Sequence, residues 1–200
     1  MEPVAFNLRG TNGSGKTWVA RKILEASRAE PDMVDSNGKI RTYRGELYDV
    51  PITILGSYKN QNGGCDTIQP YYRIPELIKL TMMEEMKPGI LFFEGLLISH
   101  SFGSVGKTME QYGSRAMTGF LDTPLSVCIH RIEARRKERG VTKEFNARNV
   151  IKDHDRVAKC RLRQYLGKHP MVDIPHDDPY EATMYHIRSL VNEYLTTDAS

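Results

Sequence analysis

Residues 10–17 read Gly-Thr-Asn-Gly-Ser-Gly-Lys-Thr, which satisfies the phosphate-binding pattern G-x-x-x-x-G-K-[ST] at all its fixed positions. The glycines of this pattern let the backbone bend so that several N–H groups point at phosphate oxygens. Lys16 would reach the β- and γ-phosphates, and the Thr17 hydroxyl would ligate Mg²⁺. The expected nucleotide-binding residues are Gly10, Thr11, Asn12, Gly13, Ser14, Gly15, Lys16 and Thr17.

The flanking sequence supplies the strand, loop and helix that the motif needs. Residues 4–8 are apolar and lie between a proline and a glycine, which predicts a buried strand. Residues 18–29 predict a helix, whose positive N-terminal end adds to the attraction for phosphate. We therefore predict binding of a nucleoside triphosphate with magnesium, against the alternative of a Gly-rich turn that binds nothing.

Short apolar strands alternate with helices along the rest of the chain. Strands are predicted at 89–95, 118–121 and 171–174, with a hairpin at 39–44 and 48–55 turning at Gly45-Glu46. Helices are predicted at 75–86, 107–116, 124–139, 146–167 and 179–195. This alternation predicts an α/β fold, a three-layer α/β/α sandwich with a mostly parallel central sheet, in a single domain over residues 1–200. Ligands of such sheets bind at the carboxyl ends of the strands.

Composition narrows the class of protein. A hydrophobic fraction of 40% and a charged fraction of 26% are ordinary for a soluble globular protein, and no stretch approaches the length of a membrane helix. The N-terminus enters a strand at once, which argues against a signal peptide. Cys65, Cys128 and Cys160 are odd in number and lack the spacing of a metal site, so we expect a reducing cytoplasm and no disulfides.

Positive charge is concentrated in residues 131–168, the predicted basic lid, with thirteen lysines and arginines against five acidic residues. Such asymmetry suggests an anionic partner, with nucleic acid as one candidate. A lid that grips ATP and a solvated helical face are the other two interpretations. If the partner is DNA, backbone phosphates should meet Lys152, Arg156, Lys159 and Arg163.

Among proteins with this phosphate loop, a kinase explains the sequence best. A GTPase should carry an Asn-Lys-x-Asp segment, and the chain has none. A motor or helicase usually has a larger core and an Asp at the end of its second-metal strand, whereas Glu94 stands there. The segment after Asp122-Thr123-Pro124 resembles the helix-to-lid segment of nucleoside- and nucleotide-kinase-like P-loop enzymes, in which arginines stack near adenine and clamp phosphates.

Four further segments resemble the phage P-loop kinases of DNA hypermodification. They are Leu-Gly-Ser-Tyr at 55–58, Gly-Gly-Cys-Asp-Thr at 63–67, Phe-Glu-Gly at 93–95, and residues 120–140 from Phe-Leu-Asp-Thr-Pro to Arg-Gly. Such kinases phosphorylate 5-hydroxymethyluracil in DNA, so the resemblance, which covers about residues 3–180, implies that substrate and a phage enzyme acting in the host cytoplasm. A kinase of free nucleosides, nucleotides or other small molecules is the alternative, and a non-catalytic ATP-binding switch is a third.

Phosphoryl transfer to a hydroxyl needs charge neutralisation and a proton acceptor. Arg131, Arg135 and Arg139 repeat every four residues, so they share a helix face and would stabilise transition-state charge as the lid closes. Arg131 would also contact the nucleotide. The alternative is a solvated basic helix. The Pro175–Pro179 loop follows the last strand, so Pro175 and His176 are expected on the adenine side.

Two carboxylates are candidates for the remaining chemistry. Glu94 ends the strand beside the phosphate loop, where it would hold Mg²⁺ or orient the acceptor, unless it is purely structural. Asp66 follows two glycines in a loop where related kinases place a substrate-binding acid, so it is the candidate general base, against an ordinary turn aspartate. Either carboxylate could be the base. Three tyrosines near this loop would stack on a DNA base or belong to the core: Tyr58, Tyr71 and Tyr72. Four histidines lack informative spacing and are interpreted as surface or structural: His100, His130, His154 and His169.

Overall fold

The computed structural model describes residues 2–59, 63–83, 89–100 and 102–194. Its strands form one seven-stranded sheet in the order β2-β3-β4-β5-β1-β6-β7. They are β1 Val4–Arg9, β2 Glu30–Pro31, β3 Thr42–Leu47, β4 Val50–Leu55, β5 Ile90–Glu94, β6 Ala116–Asp122 and β7 Met171–Pro175. Neighbouring strands are parallel along the run β4-β5-β1-β6-β7. At one edge of the sheet, β2 pairs with β3 and β3 pairs with β4 in antiparallel orientation. The predicted mostly parallel sheet is confirmed.

Helices cover both faces of the sheet. They are α1 Lys16–Ala26, α2 Arg73–Met82, α3 Leu96–Ser99, α4 Ser104–Glu110, α5 Leu125–Glu138, α6 Arg148–Leu166 and α7 Pro179–Tyr194. Alternate residues of β1 point to opposite faces, as a strand requires. Phe6 packs with α1 and α7, whereas Ala5 belongs to the cluster beneath α2, α3 and α4. The three-layer arrangement therefore follows from a central strand that is apolar on both sides.

The basic segment, residues 131–168, contains the end of α5 and the whole of α6. Its helices, α5 and α6, pack on each other through Cys128, Ile132 and Val150. The second half of α6 lies against the sheet, where Cys160 Sγ accepts a hydrogen bond from Arg9 Nη1 (3.1 Å). The second half of α6 is thereby tied to the sheet, and a lid over residues 131–168 stays a prediction.

The hairpin turns at Tyr48-Asp49, so the predicted turn at Gly45-Glu46 is wrong. Both residues have left-handed backbones, with φ of 56° and 58°, as a two-residue turn between twisted strands requires. Gly45 lies inside β3, where an added Cβ would collide with the backbone carbonyl of Ser27. The glycine allows close packing of β3 on the end of α1 and does not form the turn.

Other element boundaries differ from the predictions by a few residues. The helix predicted at 75–86 corresponds to α2, which begins two residues earlier and ends at Met82. Residues 84–86 of that prediction lie outside the described residues. The helix predicted at 107–116 ends at Glu110, a short 3-10 turn follows, and β6 begins at Ala116. Within the described ranges, no helix is long and apolar enough to cross a membrane.

Candidate active site

The phosphate loop joins the end of β1 to the start of α1 at the carboxyl edge of the sheet. Gly13 and Gly15 have φ of 83° and 108°, which side chains rarely adopt. A Cβ on Gly13 would also collide with the backbone carbonyl of Cys128 on α5. The loop therefore lies between the sheet and α5, and only glycine fits where α5 contacts it.

Lys16 is buried against this loop. Its Nζ donates hydrogen bonds to the carbonyl oxygens of Gly10 (2.7 Å) and Thr11 (3.0 Å). Burial lowers the pKa of Lys16, whereas the nearby carboxylates of Glu94 and Asp66 raise it. The ammonium group lies where the motif requires a charge that can meet phosphate oxygens.

Glu94 ends β5 and is only 1% exposed. Leu8 and Glu94 are partners in the parallel register of β1 and β5, which places this carboxylate beside the phosphate loop. Its Oε1 accepts a hydrogen bond from Thr17 Oγ1 (3.1 Å). Burial raises the pKa of Glu94 to about 7, and Lys16 opposes that rise.

Thr17 and Glu94 present the kind of oxygen atoms that Mg²⁺ prefers. A magnesium ion bound with a nucleotide takes one or two protein ligands and fills its other positions with water and phosphate oxygens. A hydroxyl and a carboxylate 3.1 Å apart fit that requirement. Thr17 and Glu94 therefore stay the predicted magnesium ligands. The described residues contain no cluster of three or more His, Cys, Asp or Glu side chains suited to a metal.

Asp66 lies in a 3-10 turn, Gly64–Thr67, close to Glu94. Its two carboxylate oxygens accept hydrogen bonds from the backbone N–H groups of Leu96 (2.7 Å) and Leu97 (3.0 Å). Asp66 therefore holds the N-terminus of α3, a contact that sequence patterns did not indicate. An ionised carboxylate has about four acceptor positions, so two remain for a substrate hydroxyl.

Two of the predicted lid arginines contact the phosphate loop. Arg131 Nη1 donates to the carbonyl oxygen of Ser14 (3.1 Å), and Arg135 Nη2 lies 3.5 Å from Asn12 Oδ1. Arg139 is exposed one turn farther along, at the C-terminal end of α5. The structure thus brings Arg131 and Arg135 to the loop and leaves Arg139 in solvent.

The residues predicted to surround the substrates lie in different environments. Pro175 is paired with Asp122 at the end of β7, and His176 follows it. Tyr58 is buried against Tyr43 in the core, whereas Tyr72 is exposed before α2. Adenine contacts of Pro175 and His176 remain predictions.

His100 occupies a position that its sequence pattern did not reveal. Its Nε2 lies 3.4 Å from Asp153 Oδ1 on α6, and both side chains are largely buried, with 12% and 16% exposed. The preceding Ser99 accepts a hydrogen bond at Oγ from the N–H of Gly10 (3.1 Å), so His100 adjoins the phosphate loop. Because Asp153 is distant in the chain, spacing alone could not pair them. His169 lies by Glu110 (3.1 Å), in keeping with the structural role predicted for it.

The family that matches this chain and the similar proteins carry the same description. Residues 3–175 match the family described as 5-hmdU DNA kinase. The chain is 31% identical over 182 residues to a 5-hmdU DNA kinase of Pseudomonas phage PaMx11, covering 88% of this chain and 93% of that protein. It is 29% identical over 177 residues to the 5-hmdU DNA kinase of Pseudomonas phage M6, covering 84% and 89%.

Among solved structures, a gluconokinase from Sinorhizobium meliloti 1021 superposes with a TM-score of 0.51 at 14% identity, covering 98% of both chains. At that identity the likeness shows the α/β fold alone. The family match extends from β1 to the end of β7 and includes the phosphate loop, Asp66, Glu94 and the lid helices. The chain belongs to the 5-hmdU DNA kinase family.

Proposed function

We propose that this protein transfers the γ-phosphate of ATP to the hydroxyl group of 5-hydroxymethyluracil in phage DNA. One observation carries the proposal: the 5-hmdU DNA kinase match spans a chain whose phosphate loop, Lys16, Thr17 and Glu94 meet at one edge of the sheet. The matched relatives come from phages, so the proposed place of action is the cytoplasm of an infected host.

The reaction is a displacement at phosphorus. The acceptor oxygen forms a bond to the γ-phosphorus, the bond from that phosphorus to the bridging oxygen breaks, and ADP leaves. Lys16, Arg131 and Arg135 would hold and neutralise phosphate oxygens, with Arg139 added as the lid closes. Thr17 and Glu94 would hold Mg²⁺, which would neutralise further charge on the phosphates. The hydroxyl proton would pass to Asp66, with Glu94 as the second candidate.

A base in a duplex is out of reach of such a site, so the target nucleotide must be extruded or single-stranded. The exposed Tyr72 lies just before α2, close in sequence to the Asp66 turn, and its ring is available for stacking. A free nucleotide would need only a closed pocket. A DNA kinase and a kinase of free nucleotides would therefore differ in how they bind the acceptor, and not in how they bind the phosphates of ATP.

A panel of acceptors with labelled ATP tests this proposal. We expect label on DNA containing 5-hydroxymethyluracil and none on thymine-containing DNA, because only the former carries the hydroxyl. Lys16→Ala is the control, since it removes the charge that meets the phosphates and should abolish labelling. Faster labelling of the free hydroxymethyl nucleoside than of DNA would favour the small-molecule kinase. ATP binding without label on any acceptor would favour the switch.

A further inference from the structure

Three polar side chains meet where α3 ends and α6 passes. His100 Nε2 and Arg156 Nη1 lie 3.4 and 3.6 Å from the same atom, Oδ1 of Asp153. A carboxylate oxygen thus lies between two nitrogen groups that can donate hydrogen bonds. Arg156 is 61% exposed, so the cluster opens to solvent on one side.

This cluster adjoins both halves of the active site. His100 follows Ser99, which is hydrogen-bonded to Gly10 of the phosphate loop, and α3 begins where Asp66 holds it. His100 interacts electrostatically with both Lys16 and Asp66. An acceptor presented to Asp66 and the γ-phosphate would therefore have the cluster beside it.

One atom of the cluster is not satisfied by the fold. His100 Nε2 is buried and makes no hydrogen bond of good geometry with the described residues, although Asp153 is near. Buried polar atoms are nearly always paired, so such an exception requires an explanation. If the cluster only tied α3 to α6, His100 Nε2 would be expected to form a hydrogen bond of good geometry with Asp153. An incoming polar group would complete it.

We propose that His100, Asp153 and Arg156 recognise the polar edge of the uracil ring. This inference rests on the proposed function and names the residues that select its substrate. Uracil presents a carbonyl oxygen, an N–H and a second carbonyl oxygen along its Watson–Crick edge. The cluster offers the complement: two donors flanking the carboxylate, which accepts the N–H. Cytosine presents an amino group and an unprotonated nitrogen, which would leave the carboxylate facing a lone pair.

The test compares two DNA acceptors that differ only in the ring. We would measure kcat/KM for 5-hydroxymethyluracil DNA and 5-hydroxymethylcytosine DNA with the wild type and Asp153→Asn. The carboxylate is lost in the variant, so kcat/KM for the uracil acceptor should fall roughly 10- to 100-fold, the scale of one good hydrogen-bonded pair to a base. The preference for uracil over cytosine should shrink with it.

A matched control lies two residues away on the same helix. Asp155 is exposed, so Asp155→Asn makes the same chemical change outside the cluster and should leave both acceptors unchanged. His100→Gln keeps an N–H donor and should retain more of the preference than His100→Ala. Circular dichroism would confirm that each variant is folded.

The possible outcomes test this inference separately from the proposed DNA kinase function on which it rests. An equal loss on both acceptors in Asp153→Asn, with the preference unchanged, would show that the cluster only ties α3 to α6 and would overturn the inference. A wild type that labels hydroxymethyluracil DNA and hydroxymethylcytosine DNA equally would also overturn it, while leaving the DNA kinase intact. A wild type that labels neither DNA would remove the proposed function itself.

Discussion

Replacing Glu94 with glutamine should stabilise the protein at alkaline pH while abolishing phosphoryl transfer. Burial raises the pKa of Glu94 from 4.5 to about 7, so the folded state binds this proton more tightly than the unfolded chain. The stability contributed by the protonated carboxyl is fully present below pH 4.5 and is lost as the pH rises through 7. A rise of that size corresponds to about 3 kcal/mol.

Glu94→Gln is uncharged at every pH, so it should match the wild type near pH 4.5 and exceed it at pH 8. The gain should approach about 3 kcal/mol, because the pKa of about 7 already includes the attraction between Glu94 and Lys16. Urea unfolding at the two pH values, without nucleotide or magnesium, measures the difference. A gain of 2 kcal/mol should raise the midpoint by roughly 1 M.

The exposed Glu133→Gln serves as the control, because its carboxylate is already hydrated and its charge should cost little. An equal stability difference between Glu94→Gln and the wild type at pH 4.5 and pH 8 would refute the reasoning, since the effect would then not follow the charge. Activity provides the second half of the test, because loss of the proposed magnesium ligand should eliminate phosphoryl transfer whatever happens to stability.

The remaining predictions concern the acceptor side. Asp66→Asn should lower turnover by roughly 10²- to 10⁴-fold while ATP binding stays near wild type, because a general base acts in the chemical step. A loss of turnover below about threefold would show that Asp66 only accepts hydrogen bonds from the N-terminus of α3. Neutralising three exposed cations of α6, Lys152, Lys159 and Arg163, should flatten the plot of log DNA affinity against log salt by roughly 0.7 to 0.9 for each lost phosphate contact, with ATP affinity unchanged. Parallel plots for the triple variant and the wild type would assign those cations to solubility, and Arg156 is left intact because it lies beside Asp153.

Local patterns in the sequence predicted the parts of the fold that local physics determines. The phosphate loop, β1, β5 and the basic helices were found because a motif or an apolar run is visible within a few residues. The hairpin turn was misplaced because Gly45 suggested a turn, while its lack of a side chain serves packing against Ser27. Tyr48 adopts a left-handed backbone that tyrosine rarely takes, so composition could not reveal the turn there.

In the candidate site, too, local patterns identified some residues but could not reveal the contacts between distant segments. Lys16, Thr17 and Glu94 were located because the motif and the strand end identify them in the sequence. The contacts of Asp66 with α3 and of His100 with Asp153 join distant segments, and no periodicity connects them. Pairs of this kind depend on the three-dimensional arrangement of α3 and α6.

Helix α3 has only four residues, yet it is attached at three places. Asp66 holds its first amides, Ser99 meets Gly10, and the adjoining His100 lies against Asp153. A nucleotide that moved Gly10 would therefore act on the same short segment that the proposed acceptor would approach at Asp66. Coupling between two binding sites is reciprocal: whatever factor ATP adds to the affinity for DNA, DNA must add to the affinity for ATP. If both ligands act on α3 in the same direction, binding at one site would favour binding at the other.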